Sequence, residues 1–227
     1  MRTMPTPNSR PRWGGRRPGS RVTSGSDDVE AASRRFLLYG VLPLWFAPAV
    51  ADWAMHRRTR IEDTSGMRES LVHALMMAEA GGPVVLGLTA EINPLVLTVM
   101  AGAAAVHGAT ALWDVALATG EREITPVEQH IHSFLEVLPL TAAAFTTCLH
   151  WDQVRSLLRG GDSRRSWRLH PKSPPLPAGY LAGFAAAVTV FVALPYGEEL
   201  LRCARAVRRN GPAPGPAAVV PGRGWSG

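Results

Sequence analysis

Residues 94–118, PLVLTVMAGAAAVHGATALWDVALA, decide the fold. The stretch contains no Lys or Arg, and its only ionisable side chains are His107 and Asp114. At a rise of ~1.5 Å per residue it crosses a ~30 Å hydrocarbon core as one helix. It does not stand alone. Working outward, the same pattern predicts helices over about 36–56, 69–92, 127–151 and 178–203 as well. Thr64-Ser65-Gly66 precedes the second helix, and Asn93-Pro94 opens the third. Thr125-Pro126 opens the fourth, as an N-cap followed by a first-turn proline. So little chain joins the second and third helices that they must form a tight hairpin. Pro43, Pro48 and Pro139 fall inside helices, which membranes tolerate where neighbours satisfy the freed carbonyls.

Whole-chain averages conceal this pattern. The 227 residues are 46% hydrophobic and 19% charged, with a mean hydropathy of +0.03, values close to those of a soluble protein. Nearly all the Arg, however, lies in the tails and loops, and that segregation is a membrane signature. The net charge of +6 belongs to residues flanking apolar segments, so anionic lipid headgroups are the expected partner and nucleic acid is not. Residues 1–33 and 204–227 read as disordered basic and Pro/Gly-rich tails. Residues 152–177 read as the main polar loop. Cys148 and Cys203 stand near helix ends without CxxC spacing, and support neither a disulfide framework nor a thiolate metal site.

The expected fold is therefore all-α: an integral membrane bundle of about five transmembrane helices over residues 34–203. Four helices surround a polar cluster and the fifth packs outside them. Counting Lys and Arg near the segment ends places the N-terminus in the cytoplasm of a bacterium and the chain in its inner membrane. The first segment has a rival reading. Ser33-Arg34-Arg35-Phe36-Leu37-Leu38 is similar to a twin-arginine export signal, with Ala49-Val50-Ala51 as the cleavage-like site. Four spanning helices would remain after its removal.

The chemistry lies where ionisable residues interrupt these helices. Asp52 and His56 end the first, Glu69 and His73 begin the second, and Glu128 and His132 begin the fourth. Each is an i,i+4 pair. His107 and Asp114 form an i,i+7 pair on the third, so every pair lies on one helix face. In an alternating topology these ends share one membrane side, with His107 the deepest, about 10 Å below Asp114. Each charge inside a membrane helix costs about 2.5–3.5 kcal/mol on insertion scales, so a group of them needs a compensating partner. A pair of divalent metal ions supplies it through N and O ligands, iron or manganese being better suited than zinc. Glu62, Glu79, His130 and Glu136 are candidates for orienting the imidazoles.

A metalloprotein that oxidises a lipid-like or small apolar substrate is the first functional expectation. An ion- or proton-coupled transporter or relay using the same groups is the second, and predicts a polar route to the opposite face. Haem b held by His73 and His107, or a non-catalytic assembly partner, are further alternatives. Interfacial Arg57, Arg58, Arg60 and Arg68 could also neutralise Asp52, Glu62 and Glu69 with no metal at all. Glu198-Glu199-Leu200-Leu201-Arg202 is one residue short of the EExxxR element of intramembrane CAAX-type proteases and reads as a capped, ion-paired helix end. His132-Ser133-Phe134-Leu135-Glu136 is not HExxH, and no Walker, GxGxxG or GxSxG element occurs.

Asp52-Trp53…His56-Arg57-Arg58…Ile61-Glu62…Ser65-Gly66…Glu69-Ser70…His73, followed by Trp113-Asp114 and Pro126-Val127-Glu128-Gln129-His130-Ile131-His132-Ser133, resembles a family of small, uncharacterised bacterial multi-pass membrane proteins. The resemblance implies a multi-pass fold and brings no activity with it. Some similar proteins carry a diguanylate cyclase label; Gly160-Gly161-Asp162-Ser163 departs from the GGDEF element that label requires.

Overall fold

A computed structural model describes residues 21–121, 123–160 and 164–210. Within them, five helices are long and apolar enough to cross a membrane: Gly25–Thr59, Gly66–Thr89, Pro94–Gly120, Pro126–Leu149 and Ala178–Arg209. They are called the first to fifth spans. Only 11–33% of each apolar window is buried inside the bundle. Leu112, Leu140, Val190 and Leu194 are among the large apolar side chains left on the outside. Apolar surface on that scale is suited to a lipid surround rather than to water.

The first span packs on the fourth, the fourth on the third, the third on the second, the second on the fifth, and the fifth back on the first. The helices thus close a ring, and the expectation of a fifth helix outside a four-helix core is corrected. Trp45, Phe46 and Ala49 of the first span meet Ala80, Leu135, Leu138, Val192 and Tyr196 in its interior. The fifth helix belongs to the ring because it turns Val192, Tyr196 and Glu199 inward against the other spans.

Helix ends follow local chemistry. Thr125 caps the fourth span by accepting from the Glu128 amide at 3.2 Å, as its Thr-Pro start predicts. Asn93 accepts from the Val96 amide at 3.0 Å, opening the third span directly after the second. Two spans carry π-turns, Leu37–Val41 and Thr189–Ala193, each just ahead of a proline, Pro43 and Pro195. A proline ring clashes with the carbonyl of residue i−4, here Tyr39 and Phe191, and the widened turn relieves that clash.

The helices reach further at both ends than composition implies. Residues 1–20 and 211–227 lie outside the described residues, but Arg21–Phe36 is helical and runs into the first span, and the last helix reaches Asn210. A helix already nucleated in the span extends outward at low cost, aided by the Glu30–Arg34 ion pair at 2.9 Å. The polar loop is partly ordered too, with a helix at Trp151–Leu158 and a 3-10 turn at Arg164–Trp167. It folds back on the second-to-third turn: the Glu91 amide donates to the His170 carbonyl and the Lys172 amide to the Thr89 carbonyl. Gly161-Asp162-Ser163, part of the stretch that departs from GGDEF, lies outside the described residues.

Candidate metal centre

At the opposite end of the ring the connection between the first and second spans builds the site. The first span stops at Arg60 in the left-handed conformation (φ 57°), a 3-10 turn covers Ile61–Asp63, and Gly66 (φ 52°) starts the second span. A side chain at Gly66 would be strained by that φ whatever the space around it. The sharp turn sets Asp52 and His56, one turn apart, against Glu69 and His73, also one turn apart. Ser65 donates to the Glu69 carboxylate. Asp52, His56, Glu69, His73, Asp114, Glu128 and His132 are all buried, and His56, Glu69 and Glu128 have no exposed surface.

The geometry centres on His56. Its Nδ1 lies 2.9 Å from Glu199 Oε2 and donates to that carboxylate. Its Nε2 is buried without a hydrogen-bond partner, yet three carboxylate oxygens face it: Asp52 Oδ1 at 3.5 Å, Glu69 Oε1 at 3.7 Å and Glu128 Oε1 at 3.8 Å. These distances exceed hydrogen bonds. They match the edge between two donors that each sit ~2.1 Å from a common ion. Two overlapping sets of donor atoms lie within 4.8 Å of one another: Asp52, His56, His73 and His132, and His56, Glu69 and Glu128.

Around this centre every imidazole is held by an acid. His132 Nε2 bonds Asp52 Oδ1 at 2.9 Å, and the Tyr196 hydroxyl donates to Asp52 Oδ2 at 2.9 Å. His73 Nε2 bonds Asp114 Oδ2 at 3.1 Å, while its Nδ1 stands 3.9 Å from Glu199 Oε1. The His56 and His73 rings stack, 4.7 Å apart and 4° from parallel. A cavity of about 20 Å³ lies between Asp52, His73, Asp114, His132 and Tyr196, enough for one water or one small ligand atom.

Charge decides what the cluster needs. Asp52, Glu69, Asp114, Glu128 and Glu199 outnumber His56, His73 and His132, so with all five ionised the three imidazoles would not by themselves balance them. Three arginines among the described residues serve other acids. Arg202 is paired with Glu62 and reaches Glu198 at 3.5 Å; Arg57 reaches Glu198 at 3.8 Å, and Arg60 reaches Asp63 at 2.6 Å. A cation among the carboxylates would both neutralise them and occupy the lone pair of His56 Nε2. The residues present fit a divalent ion.

Several expectations are corrected. His107 does not join the cluster. Its Nδ1 lies 3.5 Å from Glu79 Oε2, and Thr110 donates to Glu79 Oε1 at 2.9 Å. The i,i+7 spacing put His107 on the right face, but two turns along the axis is ~10 Å, beyond the reach of a shared ion. Glu62 orients no imidazole, being paired with Arg202, and His130 is exposed with its ring against Phe134. Glu136 is half-buried and lines the 20 Å³ cavity, whereas Glu79 does face an imidazole, that of His107. His73 and His107 line different cavities, so no cavity described presents both imidazoles as a haem would need.

The sequence reading missed Glu199 and Tyr196. Glu198 behaves as the ion-paired helix end expected, accepting from the Trp53 indole at 2.9 Å. Its neighbour Glu199 turns inward. The signal was available in the period: Tyr196, Glu199, Cys203 and Ala206 are all buried, and their spacing traces one stripe of the last helix. No family model, curated protein or solved structure matches this chain.

Proposed function

We propose that the chain is a membrane metalloprotein that holds divalent ions at this cluster, in a dinuclear arrangement, and oxidises a lipid-like or small apolar substrate with dioxygen as the electron acceptor. The observation that carries the reading is the buried, unpartnered His56 Nε2 facing Asp52, Glu69 and Glu128, with Nδ1 tied to Glu199. A carboxylate at the far nitrogen fixes the tautomer that leaves the near one free to ligate, and raises its basicity. One imidazole lone pair serves one ion. In a dinuclear site His56 would serve one ion only, Asp52, His73 and His132 being the donors grouped with it in one set and Glu69 and Glu128 in the other.

The donor set favours iron or manganese. It contains nitrogen and oxygen but no sulfur, and it offers more donors than tetrahedral zinc takes. When bound, such ions supply redox or Lewis-acid chemistry. The chain's own groups hold the ions, exclude bulk water and keep one small cavity open beside Tyr196. A relay reading requires a polar route onward from the cluster. Beyond Glu79 and His107 the next cavity is lined chiefly by Leu, Ala, Val and Pro side chains, which favours the metal reading. We place the chain in the bacterial inner membrane with its N-terminus cytoplasmic and the cluster toward the outer side. Reporter fusions at the two ends should then report opposite sides.

The test is elemental analysis of detergent-purified protein, wild type and the His56→Ala, His73→Ala and His132→Ala variants. Near two equivalents of iron or manganese in the wild type, lost in the variants, is the expected result. Metal-free protein after expression in metal-replete medium, with added iron or manganese failing to bind, would remove the reading.

A further inference from the structure

One helical turn deeper than the cluster the ring opens into a second cavity of about 100 Å³. It is walled by Leu42, Pro83, Met100, Ala104 and Pro139, and two polar side chains, Glu79 and His107, stand at its cluster end. Its place follows from the helix period. Met76 and Met77 border the small cavity where Glu79 and Ala80 border this one, and Leu135 and Glu136 give way to Pro139 and Leu140. The helix breakers Pro83 and Pro139 and the short side chains Ala103 and Ala104 keep the interior unfilled. Leu140 at its rim is exposed on the lipid-facing surface.

The His107 side chain is 6% exposed, and neither ring nitrogen has a hydrogen-bond partner. Leaving such a group unsatisfied in apolar surroundings costs about 1–3 kcal/mol. Glu79 Oε2 sits on the Nδ1 side at 3.5 Å, so the tautomer with its proton on Nδ1 is favoured and Nε2 is left as an acceptor. What Nε2 lacks is a donor, and the walls offer none beside it.

We propose that this cavity binds a lipid-soluble molecule with an apolar body and one hydroxyl, the hydroxyl donating to His107 and the body running out into the bilayer past Leu140. The volume is smaller than the roughly 150 Å³ apolar cavity that admits benzene, so only the hydroxyl end and a few carbons are enclosed. An aliphatic alcohol and an alkylphenol share this chemistry. Binding here requires no metal, so the inference stands apart from the reading of the cluster above.

Native mass spectrometry of the detergent-purified full chain, titrated with 1-dodecanol, 4-octylphenol and dodecane, tests it. At least one hydroxylated probe should bind at least about tenfold more tightly than dodecane, the worth of one buried hydrogen bond. Whichever of the two binds identifies the source class. His107→Leu should remove that advantage, His107→Gln should restore part of it, and Ala104→Phe should abolish binding by filling the cavity. The metal content of the same samples should not change. Equal binding of dodecane and both hydroxylated probes, or undiminished binding in either His107→Leu or Ala104→Phe, would overturn the proposal. So would the absence of binding by both hydroxylated probes.

Discussion

Glu199→Gln isolates the contact on which the metal reading turns. The side chain has no exposed surface, and its Oε2 lies 2.9 Å from His56 Nδ1. Glutamine keeps the shape and can still accept from Nδ1, but it removes the charge that strengthens that bond and raises imidazole basicity. Its amide also presents N–H groups near His73 Nδ1, where Glu199 Oε1 stands at 3.9 Å. Loss of a carboxylate that orients a ligating histidine typically weakens metal binding about 10–100-fold, or roughly 1.4–2.8 kcal/mol. Glu198→Gln is the matched control. Glu198 is about 38% exposed at its side chain and bonds Trp53 rather than an imidazole, so a change within about twofold is expected. The assay is metal retained per chain after dialysis against a graded series of chelators. Undiminished retention in Glu199→Gln, or an equal loss in Glu198→Gln, would refute the assignment of Glu199 to His56.

Tyr196→Phe deletes the hydroxyl that donates to Asp52 Oδ2 at 2.9 Å, a buried bond to a charged group. It should destabilise the bundle by about 1.5–3 kcal/mol in reversible unfolding in detergent, and an unchanged transition would contradict the contact. Gly66→Ala forces a side chain onto a residue at φ 52° and should cost about 1–2 kcal/mol, read as a lower Tm; a neutral or stabilising effect would mean that the turn relaxes. His150, just past the end of the fourth span at Leu149, titrates below its ordinary value, first because burial disfavours the imidazolium and then because Lys172 and Arg34 repel it. The unfolded chain therefore takes up a proton first as pH falls below about 6.5, so this residue's contribution to stability declines through that window and is constant above it. An NMR titration of His150 should give a midpoint below about 6.5, rising in Lys172→Gln; a midpoint at or above that value in the wild type would reverse the sign.

Much of the fold was legible because it depends on local properties. Apolar length marks a span, Thr125-Pro126 marks a helix start, and i,i+4 spacing puts Glu128 beside His132 whatever surrounds them. These features need only the helix rise and period. The i,i+7 pair shows where that reasoning ends. Spacing places His107 and Asp114 on one face, but membership of a site depends on depth as well. His107 instead looks into the apolar cavity beside Glu79.

The sequence by itself determined the all-helical class, the five apolar segments and the acid–imidazole pairs at their ends, since each follows from neighbours along the chain. Only the tertiary structure decided that the fifth helix closes the ring, that Glu199 rather than Glu198 meets His56, and that a turn of apolar wall separates His107 from the cluster. The rotation and depth of a helix are set by the side chains it packs against, here Trp45, Phe46, Leu135 and Val192 from three different spans, and no single segment encodes that fit.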